Sequence, residues 1–137
     1  MAIALASISR CFQGDIPNVL ATVSADGVPN VIFLSQVTVV DDDHLAISNQ
    51  FLRKTMENLA ANPVATLLVL DPGDSESYKI LARHVRSVCD GDSFEEARLA
   101  LESLAAMVGM EDVFALKGLE VFRVLDVVQV PYRDAGS

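Results

Sequence analysis

Residues 31–40 read Val-Ile-Phe-Leu-Ser-Gln-Val-Thr-Val-Val, and nearly all of these residues favour a β-strand. A strand of ten residues spans about 33 Å. That is too long for a flat edge in a chain of 137 residues. Strands of this length usually bend or contain a bulge, and they form the walls of barrels. The stretch therefore predicts a β-barrel.

Further strands are predicted on both sides of this stretch. Residues 19–24 are rich in β-branched side chains and end at Ala25-Asp26-Gly27, where Asp-Gly supplies the positive φ angles of a tight hairpin. Residues 64–70 are apolar on both faces, which predicts a central strand that is covered on both sides. The remaining predicted strands lie at residues 45–48, 77–88 and 119–130.

Three helices are predicted between these strands. The first covers residues 2–12, and the second follows residue 48 and ends at Asn62-Pro63, because the residue before proline avoids the helical region. The third begins at Ser93, which would form a capping box with Glu96. Its predicted apolar face contains Ala97, Leu101, Leu104, Met107 and Val108.

The order of these elements predicts the fold class. Strands outnumber helices, and the first connections are hairpins instead of crossovers. This predicts a single domain over residues 1–137, mainly β (α+β), built as an antiparallel six-stranded barrel with flanking helices. Residues 121–130 are apolar on both faces, and aliphatic surface outside a closed barrel is often a subunit interface. We therefore expect a homodimer.

Composition excludes several classes of partner and location. The formal net charge of -9 argues against nucleic acid and anionic membranes as partners. No apolar run approaches the roughly 20 residues that span a bilayer, and residues 1–6 lack the basic start of a signal peptide. Cys11 and Cys89 lie in apolar segments without metal-ligand spacing, so we expect buried free thiols. These features predict a cytoplasmic protein without a metal site.

The start of the second helix carries an unusual set of charges. Arg53, Lys54 and Thr55 lie in its first turn, where the helix dipole disfavours cations. Such cations are explained if an anion, such as a phosphate, binds the free N–H groups of the helix start. They are equally well explained as solvated surface residues, and the local sequence does not decide between these interpretations.

The sequence contains no common catalytic motif. His44 follows an acidic turn and His84 lies in a predicted strand, and no neighbouring pattern makes either of them a base. The carboxylates at residues 41–43 and 95–96 are typical of a turn and a helix start. Any redox or transfer chemistry is therefore expected to come from a cofactor.

Three segments together resemble the pyridoxamine 5'-phosphate oxidase-like family of FMN-binding split β-barrels. They are the hairpin Ala-Thr-Val-Ser-Ala-Asp-Gly-Val-Pro-Asn at residues 21–30, Ile-Ser-Asn at residues 47–49, and Arg-Lys-Thr-x-x-Asn-Leu-x-x-Asn-Pro at residues 53–63. The similarity covers roughly residues 15–90, and the last predicted strand is compatible with it. The hairpin is common, but its combination with the other two segments is moderately specific.

The resemblance implies a homodimer that binds FMN at the subunit interface. The phosphate would lie at the start of the second helix, and the isoalloxazine ring between residues 48–49 and the facing strand at residues 30–35. The implied phosphate ligands are Arg53, Lys54 and Thr55, and the implied ring-lining residues are Ser48, Asn49, Asn30 and Ser35, with Asn58 from the same motif.

Four departures from the family pattern restrict what the resemblance implies. Ile32 replaces an arginine that also reaches the phosphate, Val37 replaces a lysine, and Ala82 replaces a glycine. The C-terminal Arg/His segment that holds the pyridoxal substrate has no counterpart in residues 125–137. Oxidation of pyridoxamine phosphate itself is therefore not expected.

Three functional hypotheses follow from the sequence. The first is an FMN-dependent oxidoreductase of unassigned substrate. The second is a non-catalytic flavin-binding redox sensor, store or electron carrier, since no side chain is an obvious acid or base. The third is a site that binds a phosphorylated deazaflavin or heme, or that has lost its ligand.

Overall fold

The computed structural model describes residues 3–14, 16–34, 36–50, 52–109 and 116–131, without the side chain of Leu104. The chain begins with a 3-10 helix, Leu5–Phe12. Two α-helices are present, α1 (Arg53–Ala61) and α2 (Asp92–Met107). The strands are β1 (Asn18–Val23), β2 (Pro29–Leu34), β3 (Val37–Asp41), β4 (His44–Asn49), β5 (Val64–Leu70), β6 (Ser77–Val88) and β7 (Gly118–Val130).

The sheet is antiparallel, and its strand order is β2-β1-β5-β6-β7-β4-β3. The strands at the two edges, β2 and β3, follow one another directly in the chain, since β2 ends at Leu34 and β3 begins at Val37. The sheet must therefore curl until its edges meet, although no pairing joins β2 to β3 among the described residues. This confirms the predicted antiparallel split barrel.

The strand predicted at residues 31–40 is two strands, so the sheet has seven strands instead of the predicted six. The expected bend lies between Leu34 and Val37, and it carries the chain from one edge of the sheet to the other. Each half then pairs with a different neighbour, β2 with β1 and β3 with β4.

The barrel interior holds the main apolar core. The first helix packs Leu5, Ile8 and Cys11 into this core at one end of the barrel. The prediction that residues 64–70 are buried on both faces is wrong in the single chain. Only alternate side chains of β5 face the interior, and Leu68 is 42% exposed on the other face.

Helix α2 covers part of the outside of the barrel, where Ala97 packs with Ala46, Leu119 and Val121. The predicted capping box is not formed. The helix begins at Asp92, after Gly91 with φ of 92° in the cap position, which is two residues before the expected Ser93 cap, and no side chain caps it. Met107 and Val108 are exposed, because they lie at the end of the helix beyond this contact.

Five exposed apolar side chains lie on the outer face of β2, β5, β6 and β7. We call them the outer apolar face: Val31, Phe33, Leu68, Leu81 and Val128. Phe33 is 76% exposed and Val31 64%. Adjacent strands bring these positions together, since Val19 lies beside both Phe33 and Leu68, and Lys79 lies beside both Leu68 and Val128. Val121, predicted to lie on such a surface, is instead buried beneath α2.

Neither cysteine forms a disulfide. Cys11 is buried as predicted, but Cys89 is exposed, because it follows the end of β6 and lies outside the barrel core. None of the described helices is long and apolar enough to cross a membrane.

Candidate functional site

Helix α1 begins without the features that usually satisfy a helix start. Leu52 occupies the cap position and makes no side-chain cap hydrogen bond, and the first turn contains no acidic residue. The first helical hydrogen bond runs from the Met56 amide to the Leu52 carbonyl, at 2.8 Å. Among the described residues, no group accepts a hydrogen bond from the preceding N–H groups, and these groups and the positive end of the helix dipole favour an anion.

The two cations of this turn are exposed. Arg53 contacts Glu57, with Nε 3.4 Å from Oε1, but both side chains are mostly exposed. Such a surface pair contributes little to stability. Lys54 has no ion-pair partner among the described residues. Both cations are thus available to a ligand at the start of α1.

The opposite face of α1 is buried and partly polar. Thr55 and Asn58 are each 1% exposed, so Thr55 lies on a different face of the helix from the two cations. Asn58 Nδ2 donates to Thr22 Oγ1 at 3.0 Å. Asn30 pairs with Thr22 in the β1–β2 register, so Asn30 and Asn58 meet at the same end of the barrel.

The two predicted residues at the end of β4 point to opposite faces of the sheet, as neighbours in a strand must. Ser48 is buried, and its Oγ donates to Gln36 Oε1 at 2.5 Å. Asn49 lies on the interior face, opposite Gly118. These two side chains therefore do not line one surface. Ser35, the remaining predicted residue, lies outside the described residues.

A buried carboxylate, Glu120, lies beside Asn49 at this end of the barrel. Glu120 is 2% exposed, and its Oε2 accepts a hydrogen bond from Asn49 Nδ2 at 3.0 Å. Its Oε1 accepts from Ser87 Oγ and contacts His84 Nε2 at 3.0 Å. An ionised carboxylate only accepts hydrogen bonds, so this contact pairs an ionised Glu120 with the His84 tautomer that has its proton on Nε2. The carboxylate is thereby satisfied at both oxygens.

A bulge in β6 makes this cluster possible. His84 pairs with Phe122 and Ser87 with Glu120, with an extra residue in β6 between His84 and Arg86. In a regular strand, residues 84 and 87 would point to opposite faces. The bulge restores Ser87 to the interior face, and the His84 ring packs edge-on against Phe122 at 5.3 Å.

Sequence reasoning missed Glu120, Ser87 and Gln36, and it gave His84 no role. One signal was present for Glu120: a charged residue stands two positions before Phe122 in an apolar strand, in phase with its buried face. The partners Ser87 and His84 could not be found in this way, because their common direction depends on the bulge.

The acidic turn behaves as expected of a solvated turn. Asp41 Oδ1 accepts a hydrogen bond from the Asp43 amide at 2.9 Å and lies 2.8 Å from His44 Nδ1. The Asp43 amide and the His44 ring lower the pKa of Asp41. His44 therefore has a structural role at the far end of β4 from Asn49. Among the described residues, no cluster of His, Cys, Asp and Glu could hold a metal ion.

Comparison with solved structures supports the fold. An FMN-binding protein from Syntrophomonas wolfei subsp. wolfei matches with a TM-score of 0.75 and 17% identity, over 93% of this chain and 88% of that one. An F420 reductase matches with a TM-score of 0.62 and 18% identity, over 90% and 94% of the two chains. The heme storage protein HutZ from Vibrio cholerae matches with a TM-score of 0.58 and 16% identity, over 90% and 92%.

These neighbours share the fold, and the ligands in their names differ from one another. A search of curated protein sequences found no match. The sequence profile described as pyridoxamine 5'-phosphate oxidase matches residues 7–130, which is nearly the whole described barrel. The chain therefore belongs to the pyridoxamine 5'-phosphate oxidase family.

Proposed function

We propose that this protein is an FMN-dependent oxidoreductase, in which the start of α1 binds the FMN phosphate. One observation carries the proposal: α1 begins with two exposed cations, and its first turn has no acidic residue, no side-chain cap and no acceptor for its N–H groups among the described residues. A phosphate dianion satisfies the N–H groups and both cations at once. On a chain with a formal net charge of -9, this local positive site is unusual.

The residues at this end of the barrel fit the rest of the cofactor in chemical character. Arg53 and Lys54 would hold the phosphate, and the half-buried Asn49 offers a side-chain oxygen that has no hydrogen-bond partner among the described residues. Thr55 is buried in the single chain, so its side chain would pack beneath the helix start and would not contact the phosphate. FMN, when bound, supplies hydride or single-electron transfer, and the protein supplies binding and orientation.

We also propose that the chain forms a homodimer through the outer apolar face, with FMN at the interface. Exposed apolar side chains that share one sheet face favour association, because water is released from them. The registers place Val31, Phe33, Leu68, Leu81 and Val128 on neighbouring strands. The two free thiols fit a cytoplasmic location, where thiols stay reduced.

The dimer is tested by placing a charge within the outer apolar face. Phe33→Glu buries a carboxylate in the proposed interface and should convert the protein to a monomer in sedimentation equilibrium. Val40→Glu is the matched control, since Val40 is 48% exposed on β3, outside this face. A dimer that survives Phe33→Glu and dissociates with Val40→Glu would place the interface elsewhere.

A non-catalytic flavin store, sensor or carrier is the second candidate. The positions of the two histidines favour this candidate. His44 lies in an exposed turn, and Nε2 of His84 already contacts Glu120. Neither is positioned as a free acid or base beside α1. Heme is less well supported, since heme needs an axial ligand and the start of α1 offers two cations in its place.

The cofactor is tested on the purified protein by its absorption spectrum and by chromatography of the molecule released on denaturation. We expect FMN. Release of riboflavin, a deazaflavin or heme, or no binding of added FMN, would contradict the proposal. Rapid reduction of bound FMN by NADH or NADPH, followed by turnover with an acceptor, separates the enzyme from the store or sensor.

A further inference from the structure

The orientation of the Asn49 amide is set by Glu120. Because the ionised carboxylate can only accept, Asn49 must turn its Nδ2 toward Oε2, at the observed 3.0 Å. Its Oδ1 then points away from Glu120. This oxygen has no hydrogen-bond partner among the described residues, and Asn49 is half-buried. Asn49 therefore presents an acceptor at the end of β4, four residues before Arg53.

Glu120 is itself held from the other side. Ser87 and His84 both engage Oε1, which leaves Oε2 for Asn49. Burial of a carboxylate is unfavourable unless it is hydrogen-bonded, and three partners on two oxygens meet this condition. Glu120 is also the only charged residue among the largest fully buried side chains of the described chain. An apolar residue at this position would fill the barrel end without any of these requirements.

We propose that Glu120 is a positioning residue for the flavin: it fixes the Asn49 amide so that Oδ1 accepts a hydrogen bond from the ring or ribityl part of the cofactor. The inference rests on the proposed FMN function and adds to it a residue of β7, which no motif of the sequence indicated. It also assigns His84 and Ser87 a role, since they keep the carboxylate in place.

The test reverses the polarity of the Asn49–Glu120 pair. E120Q removes the charge that fixes the amide, so Asn49 can rotate and present its nitrogen to the cofactor. N49D places two carboxylates together and disturbs the same contact. The double variant N49D/E120Q restores it, because the new amide nitrogen at position 120 donates to the new carboxylate at position 49. The second oxygen of that carboxylate again faces the cofactor, and the net charge of the pair is unchanged.

The measured quantities are the dissociation constants for FMN and for riboflavin, together with the unfolding temperature of the cofactor-free protein. We expect each single variant to weaken both ligands by about tenfold, the effect of one lost hydrogen bond. The double variant should bind both ligands nearly as well as the wild type. Asp42→Asn, a charge removal in the exposed β3–β4 turn, is the control and should change neither constant.

Three outcomes are distinguishable. Recovery of binding in the double variant supports the proposal. Single variants that lower the unfolding temperature but bind both ligands normally would give Glu120 a purely structural role and overturn it, while the FMN function stands. A wild-type protein that binds neither ligand overturns the proposal and the proposed function together. If E120Q does not fold, the comparison of N49D with the double variant decides, because the reversed pair satisfies both groups.

Discussion

The N-terminal 3-10 helix closes one end of the barrel with Leu5, Ile8 and Cys11, whereas α1 closes the other end with a buried face that carries Thr55 and Asn58. The two ends lie at opposite ends of β5. Arg10 pairs with Asp71, directly after β5, and α1 ends directly before β5 begins.

The chemical difference between the ends separates stability from function. Apolar burial at the first end stabilises the fold by about 25 cal/mol per Å2 of surface removed from water. Polar burial at the second end gains little, because each buried group needs a partner merely to offset desolvation. The chain nevertheless places Thr22, Asn58, Glu120 and Asn49 there. We therefore expect substitutions at the first end to affect unfolding and those at the second to affect ligand binding.

The largest expected effect is on stability, from Ile8→Ala. Ile8 is 2% exposed within the main core, and its truncation leaves a cavity. The free energy of unfolding should fall by about 2–5 kcal/mol, measured by urea denaturation. FMN affinity of the folded protein should be unchanged. A selective loss of FMN affinity at equal fraction folded would show that the two ends are coupled.

The next effect is on binding, from the double variant R53A/K54A. Loss of two charge-assisted contacts to the phosphate should weaken FMN by about 100-fold or more. Riboflavin, which lacks the phosphate, should bind almost as before. Isothermal titration of both ligands provides the measurement, and R98A, which removes an exposed cation of α2, is the control. Equal losses of affinity for FMN and riboflavin would show that the phosphate does not bind at the start of α1.

A smaller effect on the free energy of unfolding is expected from breaking the ion pairs at the two ends, Arg10–Asp71 and Arg53–Glu57. Asp71 is almost fully buried, and its Oδ2 lies 2.9 Å from Arg10 Nη2. Among the described residues, Arg10→Ala leaves this carboxylate with the hydrogen bond from the Gly73 amide, at 2.7 Å. The free energy of unfolding should fall by about 1 kcal/mol. Arg53→Ala breaks an exposed pair with Glu57 and should leave stability unchanged. A reversed order of the two losses would contradict this ranking.

The smallest effect concerns the two thiols. Burial, reinforced by the carboxylates of Asp71 and Asp74, raises the pKa of Cys11 from 9.0 to about 11. At pH 8 only about one molecule in a thousand then carries this thiolate, so iodoacetamide should modify the exposed Cys89 alone. Intact mass should show one adduct on the native protein and two after denaturation. Native C89A should show none.

The same pKa shift predicts the sign of a pH effect on stability. Because the folded pKa of Cys11 lies above the ordinary value, the unfolded chain releases this proton first as the pH rises. The contribution of the protonated Cys11 thiol to the free energy of unfolding is complete below pH 9.0. It is lost as the pH approaches about 11. In the Cys11→Ala variant, the free energy of unfolding should therefore fall less steeply between pH 9.0 and about 11 than in the Cys89→Ala variant.

Much of the fold could be predicted because it follows local patterns. Strand β6 has the predicted bounds, and α1 ends at the predicted Asn62-Pro63. The start of α2 was misplaced, because Gly91, in a positive φ conformation, occupies the cap position two residues before the expected serine cap.

Of the candidate site, the sequence indicated the cations but not what lies beneath them. Arg53 and Lys54 are exposed as a ligand site requires, whereas Ser48 and Asn49 face opposite sides of β4. Thr55 follows the two cations in the chain, yet the turn of the helix buries it on another face. Such directions depend on which face of each element meets the barrel.

The sequence by itself determined the periodic elements, the Asp-Gly hairpin and the positive start of α1, because these depend on residue preferences over a few neighbouring positions. Only the tertiary structure decided that β2 and β3 are the two edges of one curled sheet. It alone also brought Glu120 to His84, 36 residues away, and to Asn49, 71 residues away. These contacts depend on strand register and on the bulge in β6, and neither is encoded in the residues next to Glu120.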